Sequence, residues 1–575
     1  MRIAVAVLGL LLMTSVCAQG LRYRVEVDAP RDLARTLRQG LSLVRWQKDP
    51  QMSAEQLRRI AKESEREARE VAATEGYFSA TVETRIEETE PEWKVTLKLE
   101  PGERTRVASV DIRFSGPATQ DGEARKLFDR VRSRWLLRPG EPFRQADWDQ
   151  AKRGALRDLS RWRYAAPRIA DSKAAIDPAT HEAKLEIELA SGPAFRFGAV
   201  RVTGLKRYAD SVAENLSPIR AGDTYDRDVV LAYQRRLLES GYFASVQADL
   251  DTHPLLADAA PLRVAVIEAA SQDVETGISY TTDAGPRFEL RYGNQDIFDS
   301  AWRHKTSLRV DQKEQILQLD FDSPPKPEAH WNNFFTRAKR TDIQNEITEE
   351  LAVGAAHKFY AGFAPVALIG SMHFEQQILV DRLDYRQALY LGFRRSFQRT
   401  DDLVLPRLGY IGTAEIGGGV PQISTERFLR VVANASLLYP VSRAGDLLLR
   451  AQAGVVFAET REGIPSTFLF RTGGDQTVRG YAFESLGVQQ GDATVGGRRL
   501  LLGSIEYTHW IGDNWGPAAF IDAGNAWDSG ATFNPALGYG LGVRFRTPIG
   551  PIRADIAYGE ETNQYRLHFS IGYTF

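Results

Sequence analysis

The chain has 575 residues, with 73 Lys+Arg against 75 Asp+Glu and a formal net charge of −2, so no basic excess points to nucleic acid. Hydrophobic residues make up 43% and charged residues 26%, which excludes a globally disordered chain, and the length calls for several domains. The single cysteine, Cys17, lies in the leader, so a processed chain is expected to have no disulfide, no thiolate nucleophile and no Cys-ligated metal.

Met1-Arg2 followed by the apolar run Ile3 to Met13 forms the charged and hydrophobic regions of an export signal, and Val16-Cys17-Ala18 precedes an expected cut before Gln19. The run is shorter than the ~20 residues of a spanning helix. Residues 1–18 are therefore expected to be a signal peptide. No later apolar run reaches spanning length, so any passage through a membrane falls to strands.

Residues 19–105, 106–193 and 194–271 read as three related α+β modules. In the first, Ser53-Ala54-Glu55-Gln56 is a capping-box signature opening a helix through Leu57, Ile60, Ala61 and Ala68. Glu75-Gly76-Tyr77-Phe78 ends it, and alternating strands follow around Val82 to Ile86 and Trp93 to Leu99. The second has a strand from Val110, a helix near Asp147 to Leu159, the turn Arg161-Trp162-Arg163-Tyr164 and a strand from Ala183 to Leu189. The third has a strand from Val200, a helix from Asp228 to Leu238, the turn Ser240-Gly241-Tyr242-Phe243 and a strand from Leu262 to Glu268. Gly76 and Gly241 can take the positive φ that ends a helix, while the second module lacks that glycine and must build its turn differently.

From 272 to 575 the period changes to two. Tyr565, Leu567, Phe569, Ile571, Tyr573 and Phe575 share one face, against Arg566, His568, Ser570, Gly572 and Thr574 on the other. Such segments begin near Asp273, Arg287, His304, Gln315, Asn332, Ile347, Pro365, Arg386, Arg407, Phe428, Leu447, Arg498, Gly516, Ala536, Pro551 and Tyr565, which gives sixteen. An even count of alternating ~10-residue segments is the pattern of an antiparallel transmembrane β-barrel. Tryptophans 302, 331, 510, 515 and 527 fall near expected strand ends, where interfacial belts want them.

One connection, from about Ala458 to Gly497, is far longer than the rest and carries Val478-Arg479-Gly480-Tyr481. Two strands later, Phe520-Ile521-Asp522-Ala523-Gly524 puts Asp522 on the lumenal side by alternation, and Glu506 is inward by the same rule. An arginine on a long loop and two inward carboxylates predict a charge-assisted clamp inside the barrel.

These residues resemble those of the outer-membrane assembly superfamily that includes BamA, TamA and the two-partner-secretion transporters. The modules resemble POTRA domains. The resemblance implies that the loop residues Val478, Arg479, Gly480 and Tyr481 enter the barrel and meet Asp522 of the Phe520, Asp522, Gly524 strand. Three modules before sixteen strands resemble the TamA branch, which implies promotion of the insertion or secretion of autotransporters and other β-barrel clients. A TamB-like, inner-membrane-anchored and periplasm-spanning partner is also implied. The expected lateral seam joins Gly277, Ile278, Ser279 and Tyr280 to Phe569, Ile571, Tyr573 and Phe575. A polypeptide-secreting pore and phospholipid transport with the TamB-type partner are the alternatives.

No serine elbow, phosphate loop or His-Glu-x-x-His occurs, so no catalysis, cofactor or metal is expected. Eight histidines lack ligand spacing and read as ordinary strand or surface residues. Gly538, Gly540 and Gly542 are followed by no helix and read as small residues on a barrel face.

Overall fold

The computed structural model describes residues 21–571 apart from 363, 381, 402–405, 443, 513 and 548–549. The expected signal peptide and the seam residues Tyr573 and Phe575 lie outside the described residues. Among the described residues no helix is long and apolar enough to cross a membrane.

Each module is a three-stranded sheet covered by helices. The first has the strand order Tyr23–Asp28, Trp93–Glu100, Thr81–Glu87, with the outer two parallel and antiparallel to the centre respectively. Its initial strand and the helix Arg31–Gly40 were not singled out by periodicity, because both are short and largely polar. On the central strand Val95, Leu97 and Leu99 are buried against Leu57, Ala61, Ala68 and Ala72 of the helix Ala54–Thr74. Burying each large aliphatic side chain contributes about 1.5–3 kcal/mol. The capping box is formed: the Ser53 hydroxyl accepts from the Gln56 N–H at 3.2 Å, and the Gln56 side chain accepts from the Ser53 N–H at 2.9 Å.

The second sheet runs Arg106–Ser115, Glu182–Ala190, Arg168–Asp177, and the third Phe197–Thr203, Ala260–Glu268, Phe243–Leu250. Gly76 and Gly241 have φ of 94° and 78°. The second module reaches the left-handed region with Arg163 instead, at φ 66°. Arg163 is fixed there by donating its N–H to Tyr225 O at 2.8 Å and accepting from the Phe195 N–H at 2.7 Å. In the third module the N–H groups of Lys206, Arg207 and Tyr208 donate to one carboxylate oxygen of Glu268 at 2.8, 2.9 and 3.3 Å. Burial alone would raise this carboxyl, but these donors and the Arg207 guanidinium hold it below the ordinary glutamate value.

The C-terminal half is a closed sixteen-stranded barrel. Its strands are, in order, Gln272–Thr281, Gly285–Ile297, Trp302–Val310, Glu314–Asp322, Trp331–Ile343, Glu346–Ala361, Ala364–Leu379, Arg382–Thr400, Gly409–Gly419, Phe428–Pro440, Gly445–Phe457, Arg499–His509, Trp515–Trp527, Ala536–Thr547, Gly550–Gly559 and Gln564–Ile571. The largest departure from the expected starts is at the eighth, which begins at Arg382 rather than Arg386. Alternation is strict where the argument needs it: along Arg499–His509 every second residue is buried, with Ile505 and Tyr507 outward and Ser504 and Glu506 inward. Trp302, Trp331 and Trp515 begin strands, Trp527 ends one, and Trp510 lies in a connecting turn.

The turns between the second and third, fourth and fifth, and sixth and seventh strands meet the end of the third module. Tyr242 donates to Ala301 O at 2.6 Å, Asn215 to Pro325 O at 2.8 Å, and Arg236 to Gly362 O at 2.6 Å. Tyr242 therefore both closes its own helix-to-strand turn and grips the barrel rim.

The lumenal loop clamp and the barrel seam

The connection between the eleventh and twelfth strands folds back into the barrel, carrying a short 3-10 helix at Ser466–Phe468 and a small hairpin, Val488–Gln490 with Ala493–Val495. Phe468 stacks on Tyr390 at 4.7 Å and packs on Phe428 at 5.0 Å, forming with Ile464 and Phe470 an apolar cluster against the wall. Arg471 donates to Glu346 at 2.6 Å, and the Ser466 N–H donates to Glu375 at 2.8 Å. The loop is thus anchored on the wall made by the sixth to eighth strands. Glu346 and Glu375 lie inward by parity, but no motif marks them.

At the far end of the loop Arg479 is 2% exposed. Its Nε and Nη2 form a two-pronged pair with Asp522 at 2.7 and 2.9 Å, and its backbone N–H donates to the same carboxylate at 3.1 Å. Nη1 donates to Glu506 at 2.6 Å and to Asp555 at 3.3 Å. The guanidinium lies 3.4 Å from the centre of the Phe520 ring, which supplies a cation–π face. Glu506 is held in turn by Arg544, through Nε at 2.7 Å and Nη2 at 2.8 Å, and Arg544 Nη1 donates to Asp555 at 2.5 Å. Ser504 donates to Asp522 at 2.6 Å. Each charge-assisted bond of this kind contributes about 1.5–3 kcal/mol net, and removing one partner of a buried pair costs about 3–5 kcal/mol.

In the structure Arg479 meets Glu506, Phe520 and Asp522, its loop neighbours Val478, Gly480 and Tyr481 lie against the same part of the wall, and Gly524 lies further along the strand of Phe520 and Asp522. Val478 is fully buried, and the Tyr481 hydroxyl donates to Leu537 O at 3.2 Å. Gly480 has φ 94° and lies so near the fifteenth strand that an added Cβ would sit 2.7 Å from the Gly559 nitrogen. At Gly524 a Cβ would sit 2.7 Å from Leu501 O. The glycine row on the fourteenth strand does more than fill a face. A Cβ at Gly538 would lie 1.8 Å from Arg479 O, and one at Gly542 would lie 1.7 Å from the Asp555 carboxylate. These positions leave the space the clamp occupies.

Sequence reasoning missed Arg544, Asp555 and His568. The first two lie on the polar faces of recognised strands, so parity points them inward; what it does not say is that register brings them to Arg479. His568, read as an ordinary strand histidine, is 2% exposed and its Nε2 accepts from the Gly480 N–H at 3.0 Å.

Among the described residues the first and last strands are opposite one another only at Tyr280 with Ile571 and Thr281 with Ser570. Two further contacts lie just above: Thr282 N–H to Phe569 O, and Phe569 N–H to the Thr282 hydroxyl, each 3.3 Å. Gly277, Ile278 and Ser279 pair with Glu289, Phe288 and Arg287 of the second strand.

Residues 272–575 match the Omp85 superfamily domain, residues 24–101 the POTRA domain described as TamA domain 1, and residues 195–269 a POTRA unit described as the surface antigen variable number repeat. The chain is 20% identical over 588 residues to the outer membrane protein assembly factor BamA of Neisseria meningitidis, covering 87% of this chain and 71% of that protein. It is 32% identical over 114 residues to the chloroplastic outer envelope protein 80 of Arabidopsis thaliana, 18% of this chain and 14% of that one. The crystal structure of Haemophilus ducreyi BamA lacking POTRA domains 1–3 has a TM-score of 0.53 at 14% identity, covering 82% of this chain and 100% of that one. With the superfamily domain spanning more than half its length and the barrel and modules in place, the chain belongs to the Omp85 superfamily, as an outer-membrane barrel with periplasmic POTRA modules in a family of transport and assembly proteins.

Proposed function

We propose that this chain is a TamA-type assembly factor that promotes insertion of autotransporters and other β-barrel clients through its lateral seam. The observation that carries this reading is the filled lumen. The lumen is filled by a loop anchored through Arg479 on one side and Arg471 on the other, so the exit that leaves the clamp in place is the junction of the first and last strands. Unpaired backbone at a strand edge is costly in lipid and is satisfied by adding a strand. A client strand supplies that pairing. The match of residues 24–101 to TamA domain 1 and the three-module arrangement support the TamA branch.

In this reading the domain limits are 19–105, 106–193, 194–271 and 272–575, and the modules dock a TamB-like partner along an exposed sheet edge. Capture of that partner by the full-length protein from detergent extract tests the docking. Cysteines at Thr281 and Ser570, a directly opposed pair, test the seam. The oxidised protein is expected to lose client assembly and to regain it on reduction; full assembly by the locked barrel would reject the proposal. A polypeptide-secreting pore would instead need the clamp to release. Planar-bilayer conductance that rises greatly in Arg479→Ala with client assembly intact would favour it.

A further inference from the structure

The lumenal loop touches both sides of the seam. On the last strand, His568 Nε2 accepts from the Gly480 N–H at 3.0 Å. In the turn that follows the first strand, Asp283 accepts from the Asp475 N–H at 2.6 Å, and its side chain is 5% exposed. The two acceptors also face one another, with His568 Nδ1 3.6 Å from Asp283 Oδ1. Because Nε2 accepts from a backbone N–H, a neutral ring carries its proton on Nδ1, the nitrogen turned to the carboxylate.

Between these two contacts the loop is braced against stretching. The Gly474 N–H donates to Val478 O at 3.1 Å, the Thr477 N–H to Gly474 O at 3.2 Å, and the Gly473 N–H to the Thr477 hydroxyl at 2.9 Å. Gly474 takes φ 109°, and a Cβ there would meet Asp283 Oδ2 at 2.5 Å, so the loop backbone approaches the carboxylate as closely as only glycine permits. Arg479, between the two contact points, ties this short turn to Asp522, Glu506 and Asp555.

The geometry points to a latch: the turn from Gly473 to Gly480 spans the seam from inside the barrel, and Asp283 and His568 are positioning residues that hold the first hairpin and the last strand to it. Opening the seam from its upper end requires one of these two bonds to break. The loop clamp then governs the seam as well as plugging the lumen. This latch rests on the seam-opening reading for its use, although its existence is measurable without any client.

Spin labels on Ile278→Cys and Leu567→Cys, two exposed positions on the two seam strands, report the gap by pulsed dipolar spectroscopy in lipid vesicles. His568→Leu and Asp283→Ala are each expected to raise the long-distance population about fivefold, the ratio that follows from losing one ordinary hydrogen bond. His568→Gln, which restores an acceptor, is expected to return the distribution toward wild type. Heat-modifiable mobility identifies the folded barrels. If a variant fails to fold, Gly474→Ala, which leaves both seam strands untouched and displaces Asp283, gives the same widening. Distributions unchanged in every folded variant would overturn the latch while leaving client assembly untouched. A widened gap with unchanged assembly would keep the latch and remove the seam-opening function instead.

Discussion

The wall formed by the sixth and seventh strands and the seam formed by the first and last are built from the same alternating pattern, and one lumenal loop holds both. Ile347 to Ala361 are each opposite a residue between Ala364 and Ile378. At the seam, Tyr280 and Thr281 stand opposite Ile571 and Ser570. The lesson is that one loop braces both a wall paired along its length and the line where the barrel closes. The loop inside it is anchored to the strong wall through Glu346 and Glu375, and to the strands next to the seam through Asp522, Glu506 and Asp555.

The harshest way to break the comparison is Arg479→Ala. It leaves three buried carboxylates short of their cation and is expected to cost about 3–5 kcal/mol, read as a lower urea midpoint for loss of heat-modifiable mobility. Gly538→Ala is milder. Its Cβ collides with the Arg479 carbonyl, and overpacking of this kind costs about 1–3 kcal/mol. The expected result is a loop cleaved faster by protease added outside, with the sixth-to-eighth wall unaffected. Hydrogen exchange sharpens the contrast without mutation: with a seam that opens as proposed, amides of Ala364–Leu379 are expected to exchange at least about tenfold more slowly than those of Gly277 to Ser279, since exchange tracks local opening.

The smallest effect lies away from both regions, at Glu268. Its carboxyl is held below the ordinary value, so its contribution is present above that value and lost as pH falls through the depressed one. Protection of the amides of residues 206–208, corrected for intrinsic exchange, is expected to hold above the ordinary glutamate range and to decline as pH falls below it. Glu268→Gln should remove that dependence.

Much of this was legible in the sequence for a physical reason. Period-two alternation is enforced by lipid on one side and a polar lumen on the other, so strand starts and the inward direction of Asp522 and Glu506 follow from parity alone. What parity does not carry is register across neighbouring strands. Asp555 and Arg544 face inward on strands whose position was evident, yet their convergence on Arg479 depends on pairings such as Gly542 with Asp555 and Asp522 with Gly538. His568 was passed over because a lone histidine on a polar face has no spacing to mark it. In the modules, the turn at Arg163 was flagged only by its missing glycine; the bonds to Tyr225 and Phe195 that hold its left-handed backbone come from distant segments.

All three carboxylates that receive Arg479 come later in the chain than the arginine itself, on the twelfth, thirteenth and fifteenth strands. A slip of a single residue in any of these strands would swing its acid out to the hydrocarbon and leave the cation unmatched. The guanidinium therefore acts as a parity check on the C-terminal strands as they join: a misaligned sheet has no way to seat it, and only the correct alignment completes the set.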